Sequence, residues 1–377
     1  MLAIAANNFD QPSETFIRGH VKHIAPGRTV LLCQDDGGAT ELGCPVLSDV
    51  WALAKPRSSI ERIANGLRYR WSRYVDPALR GSNEARVRTF LQRHGVRAVL
   101  AEFGNNGSLL RAACKRANVP LYVHFHGGDA TKVERRSSTG QQYQRLFRDA
   151  AGIIAPSQFL ADRLKELGCP ENKLHISPNG IDIAQFPPTS REYGRVIAVS
   201  RLVPVKGPLK TIQALSVVRN RIPGVKLDFV GDGPMMAECV QLAKSLRIDD
   251  AITFHGFQST ERVAKLLSKA SLFVQHSIRA PDGQTEAFGI TPLEASASEV
   301  PVVATKSGGI IEAIIDGETG LLVAEHDING MAEAMIALLN NQPLAEAMGH
   351  AGRKRVKERF TNDRTAARLR EIMGMPC

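Results

Sequence analysis

Short apolar runs of four or five residues recur along this chain, separated by longer stretches in which apolar residues return every three or four positions. The first pattern predicts buried strands and the second amphipathic helices. In the amino-terminal half the apolar runs fall at 2–6, 29–33, 98–101, 121–124, 152–155 and 174–177, with helices predicted from 14, at 108–117 and at 158–167. In the carboxyl-terminal half they fall at 196–199, 227–230, 251–254, 272–275 and 302–304. Helical periods at 208–220, 235–246 and 261–270 lie between them, one helix follows Pro292, and others cover 328–339, 344–359 and 364–373. Alternation at these lengths implies parallel sheets built of strand–helix–strand units. A chain of 377 residues is long enough for two such units with separate cores. The polar, proline-bearing stretch 186–194 is where a hinge is expected, dividing the chain into domains 1–187 and 188–359, with the amphipathic end, about 360–377, returning to the first domain.

Open sheets of this kind bind ligands beyond the carboxyl ends of their strands. The residues at those ends therefore carry the candidate chemistry. Arg201 and Lys206 follow the run 196–199, Gly231, Asp232, Gly233 and Pro234 follow 227–230, and His255 and Gly256 follow 251–254. The segment EAFGITPLE, 286–294, reads as a loop opening a helix, with Thr291 as N-cap, Pro292 at the first helical position and Glu294 completing a capping box. The amides of Phe288, Gly289 and Ile290 would then stand ahead of a helix N-terminus, where unpaired N–H groups and the helix dipole favour phosphate. Glu286 would face the same space and accept hydrogen bonds from hydroxyls.

In the first half, Ser13 reads as the cap of a helix beginning at Glu14 and Thr15, directly after strand 2–6. Alternation along 121–126 puts His124 and His126 on one face, with Gly127, Gly128 and Asp129 beyond. Two histidines and an aspartate invite a metal reading, but a complete site needs a third or fourth ligand and supporting partners that the sequence does not supply. No metal is expected, and His124 is expected to be buried and hydrogen-bonded. A dinucleotide fold would want G-x-G-x-x-G, and Met236 stands at the place of the third glycine.

Composition adds one feature. The net charge is +10, and between Lys55 and Arg97 eleven Lys or Arg face three acidic residues. Trp51, Tyr69, Trp71 and Tyr74 are interleaved with arginines there, a pattern suited to an anionic membrane surface. A solvated arginine-rich helical face is the alternative. No nucleic-acid recognition motif accompanies the charge. No run reaches the roughly 18 apolar residues of a membrane helix, and the amino terminus lacks a basic leader, so a cytoplasmic protein is expected, with association at the inner membrane face as a further expectation. The six cysteines are scattered without metal spacing.

The S-R-x4-K-G segment at 200–207, the G-x-G-P turn at 231–234, the H-G-F segment at 255–257 and the E-x7-E motif at 286–294 occur in this order. Together they resemble the nucleotide-sugar domain of family 4 glycosyltransferases of the GT-B fold, over about half the chain. The P-S-E-T-F-I segment at 12–17 resembles a bacterial polysaccharide subgroup, and P-N-G-I-D at 178–182 resembles the family's passage between domains. The resemblance implies two Rossmann-like parallel-sheet domains facing across a cleft. It also implies retaining transfer of a hexose from a UDP- or GDP-sugar to a saccharide or lipid-linked acceptor, with the nucleotide sugar as co-substrate and no cofactor. Arg201, Lys206 and the amides of 288–290 would meet the leaving diphosphate, Glu294 the ribose, Glu286 and His126 the sugar, and Asp232 with its neighbours the base. Glu14, Thr15 and Asp129 would lie on the acceptor side. No Asp-x-Asp pair for a diphosphate-bound metal occurs. A GT-B isomerase or phosphorylase and a non-catalytic nucleotide-sugar binding protein remain open.

Overall fold

A computed structural model describes residues 1–11, 14–50, 77–188 and 191–376, with the backbone alone at 77–82. Ser13 and the part of the basic stretch from Lys55 to Arg73, with Trp51, Tyr69, Trp71 and Tyr74, lie outside the described residues. Two parallel sheets account for the apolar runs. The first has strands β1 (Leu2–Ala6), β2 (Thr29–Cys33), β3 (Val46–Leu47), β4 (Ala98–Glu102), β5 (Leu121–His124), β6 (Gly152–Ala155) and β7 (Leu174–Ile176), in the order β3-β2-β1-β4-β5-β6-β7. The second has β8 (Arg195–Val199), β9 (Lys226–Val230), β10 (Ile252–Gly256), β11 (Leu272–Gln275), β12 (Val302–Thr305) and β13 (Gly320–Val323), in the order β10-β9-β8-β11-β12-β13.

Both orders reverse direction inside the sheet, at β1 and β4 in the first and at β8 and β11 in the second. Ligand crevices open at such points. The inner strands are buried on both faces, as continuous apolar runs such as Leu2–Ala6 require. Helices cover each sheet, and separate apolar clusters fill the space on its two sides. The chain crosses back at Phe360, whose carbonyl accepts from the Ile181 amide at 2.9 Å, while the Asn362 amide donates to Ile181 at 3.1 Å. The last helix, Asn362–Ile372, then lies on the first domain, where Arg370 donates to the carbonyls of His23 and Ile24.

Two expectations change. The sequence places Gly104, Asn105, Asn106 and Gly107 in a loop, yet all four belong to the first turn of helix Gly104–Ala117. A Cβ at Gly104 would stand 2.2 Å from the Phe125 ring. The glycine marks close packing of helix on sheet rather than a break in structure. The short strands β3 and β13 also escape the apolar pattern, because they are edge strands only partly buried. Among the described residues no helix is long and apolar enough to cross a membrane.

The two domains touch along one wall of the cleft. Ser157 caps helix Gln158–Glu166 and donates its hydroxyl to the Ala287 carbonyl of the other domain at 2.6 Å. Glu312, also of the second domain, accepts from the amides of Gln158 and Phe159 at 2.8 and 3.0 Å. A carboxylate from one domain thus serves a helix N-terminus of the other. Glu312→Ala should cost about 1 kcal/mol, the usual worth of a cap, and lower the melting temperature by about 2–4 °C. An unchanged melting curve would mean that water serves those amides equally well.

Candidate active site

A cleft of about 1000 Å³ lies between the carboxyl ends of the two sheets. Its second-domain wall is set by the tight packing of two strand ends. Gly231, at φ +132°, sits so close to the β8 end that a Cβ would fall 1.9 Å from the Ser200 carbonyl oxygen. Ser200 donates to the Val230 carbonyl at 3.0 Å and Leu202 to the Asp232 carbonyl at 2.9 Å, which fixes the chain on either side of Arg201. Arg201 is exposed at the cleft wall, and its guanidinium has no hydrogen-bond or ion-pair partner among the described residues. Lys206 is partly buried and forms a short ion pair with Glu286. Gln275, buried at the end of β11, ties this pair to the next loop: its Nε2 donates to Ser277 Oγ at 2.8 Å and to Glu286 at 3.4 Å, and its Oε1 accepts from Thr291 Oγ1 at 3.0 Å.

That last bond revises the expected helix start. The helix runs Ile290–Ala297 with Gly289 as N-cap, at φ +101°, and Thr291 lies inside its first turn. No capping box forms, because the Thr291 hydroxyl is spent on Gln275 and the chain enters the helix through a left-handed glycine. The amides of Phe288 and Gly289 have no acceptor among the described residues, and 288–291 line the cleft. Glu294 also lines the cleft, its carboxyl without a partner among the described residues, and burial pushes that carboxyl up to about 8.

A carboxyl raised in this way binds a proton in the folded state that the unfolded chain releases near its ordinary value. Its effect on stability is therefore adverse above that ordinary value and grows as pH rises toward about 8. Glu294→Gln should melt near wild type at pH 5 and several degrees higher at pH 9. Equal melting shifts at both pH values would contradict a protonated Glu294.

On the opposite wall stand Glu14, Thr15, Phe16, Phe103, His126, Gly127, Gly128 and Asp129. The Asp129 carboxylate accepts from the amides of Gly104 at 3.0 Å, His126 at 3.0 Å and Gly127 at 2.9 Å, so it holds the turn together. With its oxygens engaged this way, it is not a third ligand beside His124 and His126. Burial raises the pKa of Glu14, with Glu102 and Asp129 adding to the rise and His126 and Arg201 opposing it. Arg201 thus exerts its field across the cleft.

His126 is held from several sides. Its Nε2 lies 2.7 Å from Glu102 Oε2, and its ring centroid is 4.4 Å from that of Phe16 and 4.9 Å from that of Phe103. Phe103 adopts φ +70°, a conformation that side chains other than glycine rarely take, and such strain gathers at functional sites. His124 is buried as expected; neither ring nitrogen makes a close hydrogen bond among the described residues, with the Ser177 backbone near the ring and Glu102 Oε2 at 3.8 Å from Nδ1. Burial, followed by the neighbouring His126, holds it well below the usual histidine range. Of metal-ligating groups, His20, Glu102 and His124 each offer one atom within 4.8 Å of the others.

Four expected site residues lie elsewhere. His255 turns its Nε2 to Asp228 Oδ1 at 2.6 Å, and Arg195 Nε takes the other oxygen at 2.5 Å. Asp228 is buried and needs both partners. Gly256 and the pair Gly233 and Pro234 shape turns behind the wall rather than lining it. Residues 257–261 line the cleft instead, with Phe257 58% exposed at its mouth. Sequence reading missed Phe257, Gln275, His20 and Glu102. Only Glu102 carried a signal, as an acidic residue closing an otherwise apolar strand.

Two parallel-sheet domains with a polar cleft between their carboxyl ends define the GT-B fold. HepE of Anabaena, solved in complex with UDP and glucose, superposes with a TM-score of 0.78 at 19% identity, covering 99% of each chain. A glycosyltransferase from Rickettsia africae gives 0.77 at 17% identity, covering 99% of this chain and 97% of that one. Residues 30–185 match the family model described as Glycosyltransferase Family 4, and residues 182–355 match Glycosyl transferases group 1. The GDP-mannose-dependent alpha-(1-6)-phosphatidylinositol monomannoside mannosyltransferase of Mycolicibacterium smegmatis is 30% identical over 277 residues, 70% of this chain and 71% of the relative. The colanic acid biosynthesis glycosyltransferase WcaL of Escherichia coli is 29% identical, and the match spans 63% of this chain and 59% of that protein's length. The chain belongs to glycosyltransferase family 4.

Proposed function

We propose that this protein transfers a hexose from a UDP- or GDP-sugar to a hydroxyl of a saccharide or lipid-linked acceptor, with retention at the anomeric carbon, in polysaccharide or glycoconjugate biosynthesis. The observation that carries this reading is the convergence of Arg201, Lys206 and the unpaired amides of Phe288 and Gly289 on one wall of a cleft whose other wall presents His126. During transfer the bond from the anomeric carbon to the diphosphate oxygen breaks, a bond to the acceptor oxygen forms, and the acceptor's proton is released. Negative charge grows on the departing diphosphate. Preorganised cations and amides stabilise such charge without reorganising at the moment of reaction. With no Asp-x-Asp pair in the chain, the protein's own positive groups would do this work, and no divalent metal is required.

Glu286 is the partner for hydroxyls of the donor sugar, Glu294 for the ribose, and Asp232 is the group nearest the base. Glu14 and Thr15 face the acceptor. A GDP-mannose-dependent relative with a lipid acceptor and a fold neighbour solved with UDP and glucose support the substrate class and leave the base open. The basic stretch suggests an anionic membrane surface as the place of a lipid-linked acceptor. Co-flotation with anionic liposomes at low salt tests that part, and its absence would contradict it.

The test of the activity is release of UDP or GDP from labelled sugar donors in the presence of EDTA, with and without a saccharide acceptor. Acceptor-dependent release with label in the product supports transfer. Conversion without an acceptor, or only with inorganic phosphate, supports an isomerase or phosphorylase. Tight nucleotide-sugar binding with no turnover would leave a binding protein.

A further inference from the structure

Glu102 closes β4 beneath the cleft wall with its side chain fully buried. Three imidazoles surround it. His20 Nδ1 lies 2.7 Å from Oε1, His126 Nε2 lies 2.7 Å from Oε2, and His124 Nδ1 stands farther off at 3.8 Å from Oε2. The His20 and His124 rings are stacked with centroids 5.6 Å apart, and those of His124 and His126 are 4.3 Å apart. Burial works to raise the Glu102 carboxyl, but the His20 charge and the hydrogen bonds from His126 and His20 outweigh it and hold the group well below the carboxylate range. An ionised carboxylate is an acceptor only, so each imidazole facing it at hydrogen-bond distance must present an N–H.

We infer that Glu102, braced by His20, is a positioning residue that fixes the orientation and tautomer of His126, with Nε2 protonated and Nδ1 left as the ring's hydrogen-bond acceptor. The ring is 5% exposed, its backbone turn lines the cleft, and Nδ1 has no partner among the described residues. A buried acceptor left unpaired in the free protein has a ligand hydroxyl as its natural partner. The same division of labour, in which a buried carboxylate orients a histidine whose other nitrogen meets the substrate, is a general device for setting a tautomer. Phe16 and Phe103 pack against the ring, so the carboxylate contact sets its remaining freedom to flip.

The alternative for the cluster is a metal ion. A tetrahedral ion bound at about 2.0–2.1 Å would separate its ligand atoms by roughly 3.3 Å. The two contacts of 2.7 Å are hydrogen bonds at ordinary charge-assisted length.

The inference rests on the reading of His126 as a donor-sugar contact, and the experiment separates the two. The imidazole ¹⁵N spectrum of the wild-type protein, with the His126 resonances assigned by their loss in His126→Asn, should show protonated Nε2 and unprotonated Nδ1 at pH 7.5. A protonated Nδ1 with bare Nε2 would overturn the inference whatever Glu102→Gln does. Glu102→Gln keeps the shape but turns one of the two terminal oxygens into an amide donor, and since His20 and His126 face different oxygens it cannot receive an N–H from both rings where they stand. It should lower kcat about 10- to 100-fold with the donor KM within about twofold, and disturb the tautomer of His126, His20 or both.

Full activity of Glu102→Gln beside an inactive His126→Asn would sink the positioning role and leave the functional reading standing. Full activity of His126→Asn would sink the functional reading of that ring. One equivalent of zinc retained by the wild type and lost from Glu102→Gln would make the carboxylate a metal ligand and also overturn the inference.

Discussion

Arg201→Ala is expected to lower turnover about 100-fold or more, the scale of removing one group that meets charge developing in a transition state. The expectation follows from what Arg201 lacks. Lys206 is already neutralised by Glu286, whereas Arg201 stands exposed at the cleft wall without a partner among the described residues. It is held there because the chain on either side is locked to the Gly231–Asp232 turn by backbone hydrogen bonds. Stability should hardly change, since no ion pair is broken. Steady-state transfer assays alongside melting curves check both parts. Near wild-type turnover would remove Arg201 from the mechanism, and a large melting shift would mean that the guanidinium is structural.

Glu286→Gln is the second large effect, and it should split affinity from turnover. Removing the charge leaves Lys206, half-buried, without its carboxylate. An unpaired cation beside a diphosphate site should hold UDP or GDP at least as tightly as before. In the proposed role the carboxylate accepts from hydroxyls of the donor sugar, and the neutral amide accepts more weakly; bonds to charged groups are worth about 1.5–3 kcal/mol, or roughly 10- to 100-fold in kcat. Calorimetric titration of the nucleotide and a transfer assay on one preparation would read both. Loss of nucleotide binding with unchanged kcat would reverse the assignment and make Glu286 a support for Lys206 alone.

Much of the fold was legible because the strands are buried on both faces, which leaves apolar runs such as Leu2–Ala6 and Leu272–Gln275 with little ambiguity. Edges were not, since Val46–Leu47 and Gly320–Val323 are short and partly exposed. Gly104 misled for a definite reason: glycine signals a turn in sequence, and here it is demanded by the Phe125 ring.

In the site, the residues expected at strand ends reach the cleft wherever the chain leaves the sheet immediately, as at Arg201 and His126. His255 does not, because Asp228 is buried one strand away and takes its ring. Such a pairing depends on strand register, which spacing alone does not give. Glu102 and His20, separated by 82 positions, meet only through the packing of helix Thr15–His23 on β4. Local pattern makes Thr291 a cap, and the long-range bond to Gln275 overrides it.

The measurement that tests the central claim most directly is calorimetric binding of UDP, GDP and NAD to the wild-type protein and to Arg201→Ala, each with and without EDTA. Binding of UDP or GDP that is indifferent to EDTA and weakened at least tenfold by Arg201→Ala is the expected result. It would also name the base. Binding abolished by EDTA, or confined to NAD, would contradict a donor site in which the protein's own cations and amides meet the diphosphate.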